Sequence, residues 1–467
     1  MVIMMDVKLA GFNVDTDVLA RLQSEGSTSG VNITPEVLSA AYARISRSSK
    51  EIQELRKEAA ANVAKARRSN QNIVFEMGHH SVAEHAYLNF DISGLSRIAV
   101  EFLEHFRLAS FTERSQRYVT FNGDYVVPAE LGEVEVGLFN QLVAQQNDFY
   151  KTAFPLLVER QKKINPNKDN RTQENLAKED ARYGISLATQ AQLGFSTNAR
   201  ELEYIIRKSK HHALAEVREL GEKLYEEANQ IVPSLLTHAG GKVDDGFLCE
   251  GGKDITKTVN GFFEDRTTED FGAKESNHCL LLKNNFNIDE LIMASLVARN
   301  AGVSLSYAEK IVRRGDSDAK KELMKSCLRH LTKYDAVPRE FELADFTFEV
   351  IVSATCYAQL KRHRMATLLP QGYNPFLGFV MPKSIPEVGL GEELQKVVHA
   401  SDTLYDIIRA EHPENSQLAD YCLTNAHRRR VIVKMNLREL YHFSRMREDE
   451  HAQWEIRGLA NEMCAAV

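Results

Sequence analysis

Apolar and polar positions along the chain repeat the same order of predicted elements in its two halves. Residues 6–12 and 279–282 are short apolar runs that predict strands. A helix start follows each run, at residues 34–36 in the first half and 287–290 in the second. In the first half, helical periodicity continues over residues 37–64. The two halves therefore begin alike.

A second pair of matching elements follows. Residues 86–92 and 345–350 alternate apolar and polar side chains, as half-buried strands do. Each leads into a helix that is expected to carry a polar signature, residues 105–118 in the first half and 361–373 in the second. Long helical segments then lead to residues 198–202 and 436–440. The repeated order predicts a tandem duplication.

We predict a first copy over residues 1–238, a connector over 239–276 and a second copy over 277–467. The connector is rich in glycine, aspartate and lysine and has poor periodicity. Each copy is predicted to mix strands with long helices. A length of 467 residues agrees with more than one domain.

Composition narrows the classes of function. The chain has 43% hydrophobic and 26% charged residues and a formal net charge of -7, which argues against broad nucleic-acid binding. No apolar run is long enough to span a membrane, and the N-terminus does not resemble a signal peptide. The six cysteines are scattered, with no zinc-ligand spacing, so we expect free thiols in a reducing cytoplasm.

Three stretches carry candidate chemistry. Residues 78–85 hold three histidines and a glutamate, which could form a metal site, a polar ligand-binding loop or a hydrogen-bonded corner; the spacing of zinc proteases is absent. Residues 362–364, Arg-His-Arg, suit a phosphate, or form a solvated basic turn. Glu113, Ser115 and Arg117 alternate, as on one face of an extended segment.

The closing helix has a polar side and an apolar side. Arg438, His442 and Arg445 recur at helical spacing, whereas Leu440 and Phe443 fall on apolar positions. A solvated face against a core face explains this pattern as well as a ligand site does. Farther along, the next arginine precedes an acidic run and could be only salt-bridged.

Taken together, these motifs resemble the flavin-dependent thymidylate synthases. The resemblance lies in the loop 78–85, the Arg-His-Arg signature with its downstream serine, and the closing segment 436–457. It covers almost the whole chain outside the connector, once per half. It implies the α/β (α+β) class, with two tandem copies of that family's fold, each a mainly antiparallel sheet with long helices.

The two copies depart from the family pattern in complementary ways. When Arg107 is aligned on Arg364, Ser115 stands opposite Gly372 without a gap. The first copy keeps Glu113, Ser115, Arg117 and Gly78-His79, where the second has Pro370, Gly372, Asn374 and Ala336-Val337. The second keeps Arg362-His363-Arg364 and Arg447, where the first has His105-Phe106-Arg107 and Lys208 or Ser209. Because family members are homotetramers with shared sites, the resemblance implies a composite site and a homodimer of this chain.

The resemblance also implies roles for individual residues. The residues expected to hold dUMP are Gln359, Arg362, Glu113, Ser115, Arg117, Arg182 and Arg447, and Arg447 would polarise the uracil ring. The residues expected to face FAD are Ser81, Glu84, His363, Arg364, Asn436, Arg438 and His442, and His79 would line the flavin and folate approach. NADPH and methylenetetrahydrofolate would be co-substrates, and no metal or cysteine nucleophile is needed.

Two questions stay open at this level. Asp420 stands opposite Arg182 in the second copy, so the live site could lack a phosphate contact unless Lys434 or residues 428–430 replace it. The competing hypothesis is a non-catalytic or altered-specificity flavin- or nucleotide-binding relative, and a weaker one is a metal site at His79, His80 and His85.

Overall fold

The computed structural model describes residues 4–25, 33–242, 252–261, 279–332 and 334–467, together with residues 245, 246, 248 and 250. The strands are β1 Asp6–Phe12, β2 Tyr87–Ser96, β3 Ser110–Glu113, β4 Gln190–Asn198, β5 Cys279–Asn284, β6 Asp345–Ser353, β7 Thr367–Tyr373 and β8 Arg428–Asn436. The first-copy helices are α1 Thr16–Glu25, α2 Glu36–Ala43, α3 Ile52–Ala61, α4 Val63–Asn70, α5 Arg97–Glu104, α6 Glu133–Ile164, α7 Asn170–Ala181, α8 Ala199–Lys210 and α9 Ala215–Asn229. The later helices are α10 Gly252–Gly261, α11 Ile288–Ala301, α12 Leu305–Arg314, α13 Ser317–Leu328, α14 Ala354–Leu360, α15 Ser384–Glu387, α16 Gly391–Glu411, α17 Leu437–Arg447 and α18 Trp454–Ala465.

Two four-stranded sheets have the same topology. Their strand orders are β1-β2-β4-β3 and β5-β6-β8-β7, and every neighbouring pair is antiparallel. The alternating stretches predicted as strands are β2 and β6, whose apolar side chains face the interior. The expected fold class, two tandem copies of a mainly antiparallel sheet with long helices, is confirmed.

The same local interactions begin the helices of both copies. Ser96 caps α5 and Ser353 caps α14, each by accepting a hydrogen bond from the backbone three residues on. A carboxylate then binds each serine: the buried Glu216 accepts from Ser96 N at 2.7 Å and Oγ at 2.6 Å. Glu455 accepts from Ser353 N at 3.0 Å and Oγ at 2.6 Å. These matched contacts fix which positions of the two copies are equivalent.

The chain divides into two compact units. The first unit comprises residues 1–266 and 383–424, and the second comprises residues 267–382 and 425–467. In the first unit, α16 packs on α6, where Gln146 Nε2 donates to Ser401 Oγ at 3.0 Å and to Cys422 O at 2.8 Å. The first unit thus includes helices from both sequence copies, while the predicted copy boundaries stay a prediction.

The second unit has its own apolar core. Inward-facing side chains of β6 and β8, such as Phe348 and Val433, pack with the apolar side of α17, represented by Leu440 and Phe443. The apolar positions predicted for the closing helix are therefore buried. This packing holds α17 against the sheet and leaves its polar side for other contacts.

Some local expectations are wrong. The periodicity of residues 37–64 is interrupted, because Ser48 has an extended backbone and its hydroxyl accepts from Lys50 N at 3.2 Å. Asn287 precedes α11 in a left-handed conformation, and its side chain makes no capping hydrogen bond. Most of the connector, including residues 262–278, lies outside the described residues, although α10 is described. No helix in the described part of the chain is long and apolar enough to cross a membrane.

Candidate functional site

In the first unit, a cavity of about 270 Å³ opens beside the end of the signature. Ser115 and Arg182 both line it, together with Arg114, Gln116, Tyr150 and Ala191. Arg182 is held at the end of α7, where its Nε donates to Glu179 O at 3.3 Å. Burial lowers the pKa of Arg182, although nearby anionic groups counteract this effect. The structure therefore brings two of the predicted nucleotide-binding residues to one cavity.

Glu113 and Arg117 do not share a ligand-facing surface with Ser115. Strand β3 ends at Glu113, and the chain then turns, with Arg117 N donating to Ser115 Oγ at 3.1 Å. Glu113 is paired with the buried Arg97 and lines a neighbouring depression of about 550 Å³. Arg117 Nε donates to Glu179 at 2.5 Å. The expectation of one extended face is wrong because Ser115 begins a turn.

The histidine-rich loop is exposed. Its 3-10 turn runs over His80–His85, and only Ala83 is buried there. Glu84 pairs with Arg200 at 2.5 Å, and His79 Nε2 lies 3.4 Å from a guanidinium nitrogen of Arg47. Ser81 is exposed. Among the described residues, no group of three or more His, Cys, Asp or Glu side chains is placed to hold a metal ion, which removes support from the metal alternative.

In the second unit, Arg447, His363 and Glu439 form a chain of hydrogen bonds. Arg447 Nε donates to His363 Nε2 at 2.9 Å, and His363 Nδ1 lies 3.2 Å from Glu439 Oε1. Because a guanidinium can only donate, His363 Nε2 must accept. The imidazole is therefore neutral, carries its proton on Nδ1 and donates it to Glu439. Burial lowers the pKa of His363, although Glu439 raises it, in agreement with this assignment.

A second contact orients the arginine. Arg447 Nη2 donates to Gln359 O at 3.1 Å, at the end of α14. Gln359 Nε2 approaches Gln453 Oε1 at 3.5 Å, whereas Gln359 Oε1 is buried and accepts no hydrogen bond within the described part of the chain. A ligand N–H could satisfy this oxygen. The predicted residues Gln359, His363 and Arg447 are thus brought together.

The remaining predicted residues of the second copy lie around the hydrogen bonds of Arg447, His363 and Glu439 and make other contacts. Arg362 and Arg364 are exposed on either side of the buried His363. Asn436 caps α17 by accepting from Glu439 N at 2.9 Å. Arg438 donates to Val337 O at 2.9 Å and to Glu342 at 2.6 Å. His442 is exposed, with its ring centroid 5.7 Å from that of His363.

Sequence reasoning missed Glu439. Its acidic side chain follows the Asn436 cap by three residues, which indicates only a helix start. The hydrogen bond between Glu439 and His363 joins residues far apart in the sequence, so no local pattern predicts it. A buried carboxylate needs a hydrogen-bonding or charged partner, and this requirement was the one signal that could have pointed to a role for Glu439.

Equivalent positions in the first copy are occupied differently. Asn198 caps α8 as Asn436 caps α17, and counting from these caps places Ser209 at the position of Arg447. Ser209 is fully buried and donates to Ile206 O at 2.7 Å. Phe106 replaces His363, and Lys208 Nζ lies 5.5 Å from the centroid of its ring. The first copy therefore lacks the arginine–histidine pair.

The sequence left open whether Lys434 or residues 428–430 replace Arg182, because Asp420 stands opposite it in the second copy. Arg182 lines the cavity of Ser115, so these two groups come as a set from the first copy. The suggested substitutes in the second copy have other contacts: Arg430 pairs with Glu349 at 2.7 Å and Lys434 with Asp345 at 3.1 Å. No substitute for Arg182 is required at its own cavity.

Known proteins match this chain in two segments, one in each copy. The sequence model of the family described as "Thymidylate synthase complementing protein" matches residues 31–234 and 290–467. A UPF0159 protein of Thermoplasma acidophilum is 24% identical over 84% of this chain and 84% of its own. A flavin-dependent thymidylate synthase of Geobacter sulfurreducens is 29% identical over 48% of this chain and 90% of its own.

Among solved structures, thymidylate synthase X (ThyX) from Helicobacter pylori with FAD and dUMP is 20% identical and covers 50% of this chain and all of its own, with a TM-score of 0.30. The two family matches lie in the two halves that carry the same sheet. They confirm the resemblance found in the sequence, including its assignment to a family of enzymes. The chain belongs to the thymidylate synthase complementing protein family, that of the flavin-dependent thymidylate synthases, as a tandem duplication.

Proposed function

We propose that this protein catalyses the FAD-dependent reductive methylation of dUMP to dTMP, with methylenetetrahydrofolate and NADPH as co-substrates. The observation that carries the proposal is the Glu439–His363–Arg447 chain, which survives in one copy while the cavity with Ser115 and Arg182 survives in the other. We further propose that one composite site draws on both sets of residues. A sequence without function would have no reason to lose them in complementary fashion.

Nucleotide binding is assigned to the first-copy cavity. Its volume of about 270 Å³ lies near the lower end of small-molecule pockets, which suits a phosphate and sugar better than a dinucleotide. Arg182 and Arg114 bring guanidinium groups to it, and Ser115 brings a hydroxyl. Guanidinium groups bind phosphate in a bidentate manner, so this cavity fits the phosphate end of dUMP. The family resemblance adds Glu113, Arg117 and Arg362 to the proposed set, although these three residues do not line this cavity.

Arg447 is the residue proposed to act on the pyrimidine. Held by His363 and by Gln359 O, its guanidinium is oriented before any ligand arrives. A cation at the N3 and carbonyl edge of uracil stabilises negative charge as the ring accepts hydride at C6. Gln359 Oε1 can accept a hydrogen bond from the base at the same place. The chain's own contribution is thus orientation and charge stabilisation.

Flavin binding is proposed for His79, Ser81, Glu84, His363, Arg364, Asn436, Arg438 and His442. The exposed loop 78–85 and the exposed guanidinium of Arg364 fit a ligand that carries hydroxyl groups and a diphosphate. When bound, reduced flavin would supply the hydride, and methylenetetrahydrofolate the carbon unit. The five described cysteines are free, and none lies in these sets of residues.

By the same resemblance we propose that the protein works as a homodimer that corresponds to the family tetramer, in the cytoplasm. The free thiols agree with a reducing compartment. Light scattering on the purified protein would measure its mass in solution. A fully active monomer would contradict the proposed homodimer but not the proposed methylation of dUMP.

The direct experiment is turnover by the purified protein with FAD, NADPH, methylenetetrahydrofolate and dUMP. We expect a yellow protein that forms dTMP, with deuterium passing from reduced flavin to the product. A colourless protein that does not bind added FAD would overturn the proposal.

The alternative is a binding protein without turnover, or one with another pyrimidine nucleotide as substrate. It is favoured by Gly372 and Asp420, where the second copy departs from the family pattern. Complementation of a thymidine auxotroph by the wild type, but not by Arg447→Ala, would exclude a role in binding alone.

A further inference from the structure

Three side chains of the second unit form a tyrosine–arginine stack, consisting of Tyr357, Arg429 and Tyr373. The guanidinium carbon of Arg429 lies 4.7 Å from the ring centroid of Tyr357 and 4.3 Å from that of Tyr373. Arg429 also donates to Gln371 O from Nε at 2.8 Å and from Nη2 at 2.5 Å. All three side chains are at least nine-tenths buried. Stacking and paired hydrogen bonds hold the arginine in one place.

Sheet register shows which first-copy positions the stack occupies. Arg429 on β8 pairs with Val352, just before the Ser353 cap, as Ala191 on β4 pairs with Leu95, just before the Ser96 cap. Arg429 is therefore the counterpart of Ala191. The gapless alignment of the signatures makes Tyr373 the counterpart of Gln116 and Gln371 that of Arg114. Ala191, Gln116 and Arg114 all line the first-copy cavity.

A backbone difference adds to the side-chain difference. In β2, Ser93 and Leu95 pair with consecutive residues of β4, so Gly94 is an extra residue that bulges from the strand. Its φ of +77° favours glycine, and it lines the cavity. In β6 the corresponding residues pair without interruption. The first copy thus combines a bulge with Ala191 and Gln116 where the second has a regular strand and a packed stack.

We infer that the second copy has filled its own nucleotide pocket with the tyrosine–arginine stack, so that each chain binds one pyrimidine nucleotide, at the first-copy cavity. This inference rests on the proposed nucleotide site. It assigns Ala191 and Gln116 as the residues that keep that site open. Gly372, which stands in the place of the serine, directly precedes Tyr373 of the stack and is itself exposed.

Reciprocal exchange tests the inference. FAD-loaded protein is titrated with dUMP by calorimetry, which gives both the affinity and the number of sites per chain. The wild type should bind one dUMP per chain. Ala191→Arg with Gln116→Tyr should place the arginine and one tyrosine of the stack in the open cavity and weaken dUMP binding by about 100-fold or more. Retained FAD and an intact circular dichroism spectrum confirm that this variant is folded, and Ala191→Ser serves as its mild control.

The opposite exchange, Arg429→Ala with Tyr373→Gln, should keep one site per chain and the wild-type affinity. It should lower the melting temperature by about 4 °C because a buried cation–π stack is lost. Two dUMP per wild-type chain, or unchanged affinity in the folded Ala191→Arg variant, would overturn the inference while nucleotide binding stands. No dUMP bound to the FAD-loaded wild type would overturn the proposed function, and the inference with it.

Discussion

The signature regions of the two copies share a backbone plan and differ in what their side chains do. In the first copy, the turn after β3 borders a cavity with Ser115 and Arg182, while Phe106 and Ser209 are packed where a histidine and an arginine stand in the second. In the second copy, His363 and Arg447 are hydrogen-bonded, while the corresponding cavity positions are filled by the stack.

This difference teaches how a duplicated site can specialise. At two of the altered positions the replacing side chain has partners of its own. Fully buried Ser209 finds a backbone acceptor, and Arg429 finds two rings and a carbonyl. Lost function has been converted into packing, which contributes to stability in both copies.

The largest expected effect comes from Arg447→Ala, which removes the cation that one copy alone keeps. We expect kcat to fall by about 10²–10³-fold, as for other groups that stabilise charge in a transition state. Bound FAD, measured by absorbance, should be retained. Arg445→Ala on the same helix is the control and should turn over normally; equal losses in both variants would point to a general effect on α17.

Arg182→Met sharpens the assignment of the nucleotide to the first copy. Removing a charge-assisted contact to phosphate should raise the Kd for dUMP by about 10–100-fold. Asp420→Asn, at the counterpart position, should leave the Kd unchanged. Calorimetry on FAD-loaded protein provides both Kd values. A larger effect of Asp420→Asn would place the phosphate in the second copy and contradict the assignment.

Glu439→Ala tests whether the acid positions Arg447 through His363. Loss of the acceptor for His363 Nδ1 should lower kcat about tenfold, with little change in KM. Glu439→Gln retains an acceptor oxygen and should recover most of the activity. Glu201→Ala is the matched control, because Glu201 follows the Asn198 cap in the same way. If Glu439→Gln were as slow as Glu439→Ala, the charge and not the orientation would matter.

The smallest effects concern pH, and they separate the two copies. Activity should fall with acidification only below about pH 6.5, as protonated His363 can no longer accept from Arg447. In the first copy, burial lowers the pKa of His212 to about 4. Since its unfolded pKa is higher, the unfolded state takes up the proton first, and stability should fall between about pH 6.5 and 4.

Melting curves across this range measure the effect. His212→Asn removes the titrating ring, so the acid-induced loss in melting temperature should shrink by about 4 °C. Its activity profile should keep the acid limb assigned to His363. If the melting temperature of His212→Asn fell with pH as in the wild type, other groups would cause the acid-induced loss of stability.

Local patterns predicted strands β1, β2, β5 and β6, but they missed β4 and β8, where helical segments were expected, and they did not predict the site. Alternation in residues 86–92 and 345–350 identified the central strands because one face of each strand is buried. It could not show that the chain turns at Ser115, since a turn and a strand edge alternate alike over a few residues. The break near Ser48 was also hidden, because a hydroxyl can compete with a helix without changing its periodicity.

Contacts between distant residues set the rest. Ser209 could be aligned with Arg447 only once both asparagine caps were seen to begin their helices alike. The stack joins Tyr357, Tyr373 and Arg429, of which only Tyr373, the last residue of the signature, belongs to a motif. That Arg182 shares a cavity with Ser115 likewise follows from tertiary packing, which no pattern within either segment encodes.

The discontinuous first unit bears on how this polypeptide is made. Its helix α6 packs against α16, and buried Tyr421 donates to Glu216 at 2.6 Å. These partners are separated by hundreds of residues in synthesis, so the first unit cannot be completed on the ribosome until the second copy is largely translated. A gene cut at the connector would yield an amino-terminal product with an uncovered helix face. The fusion, once made, ties the two copies together in folding.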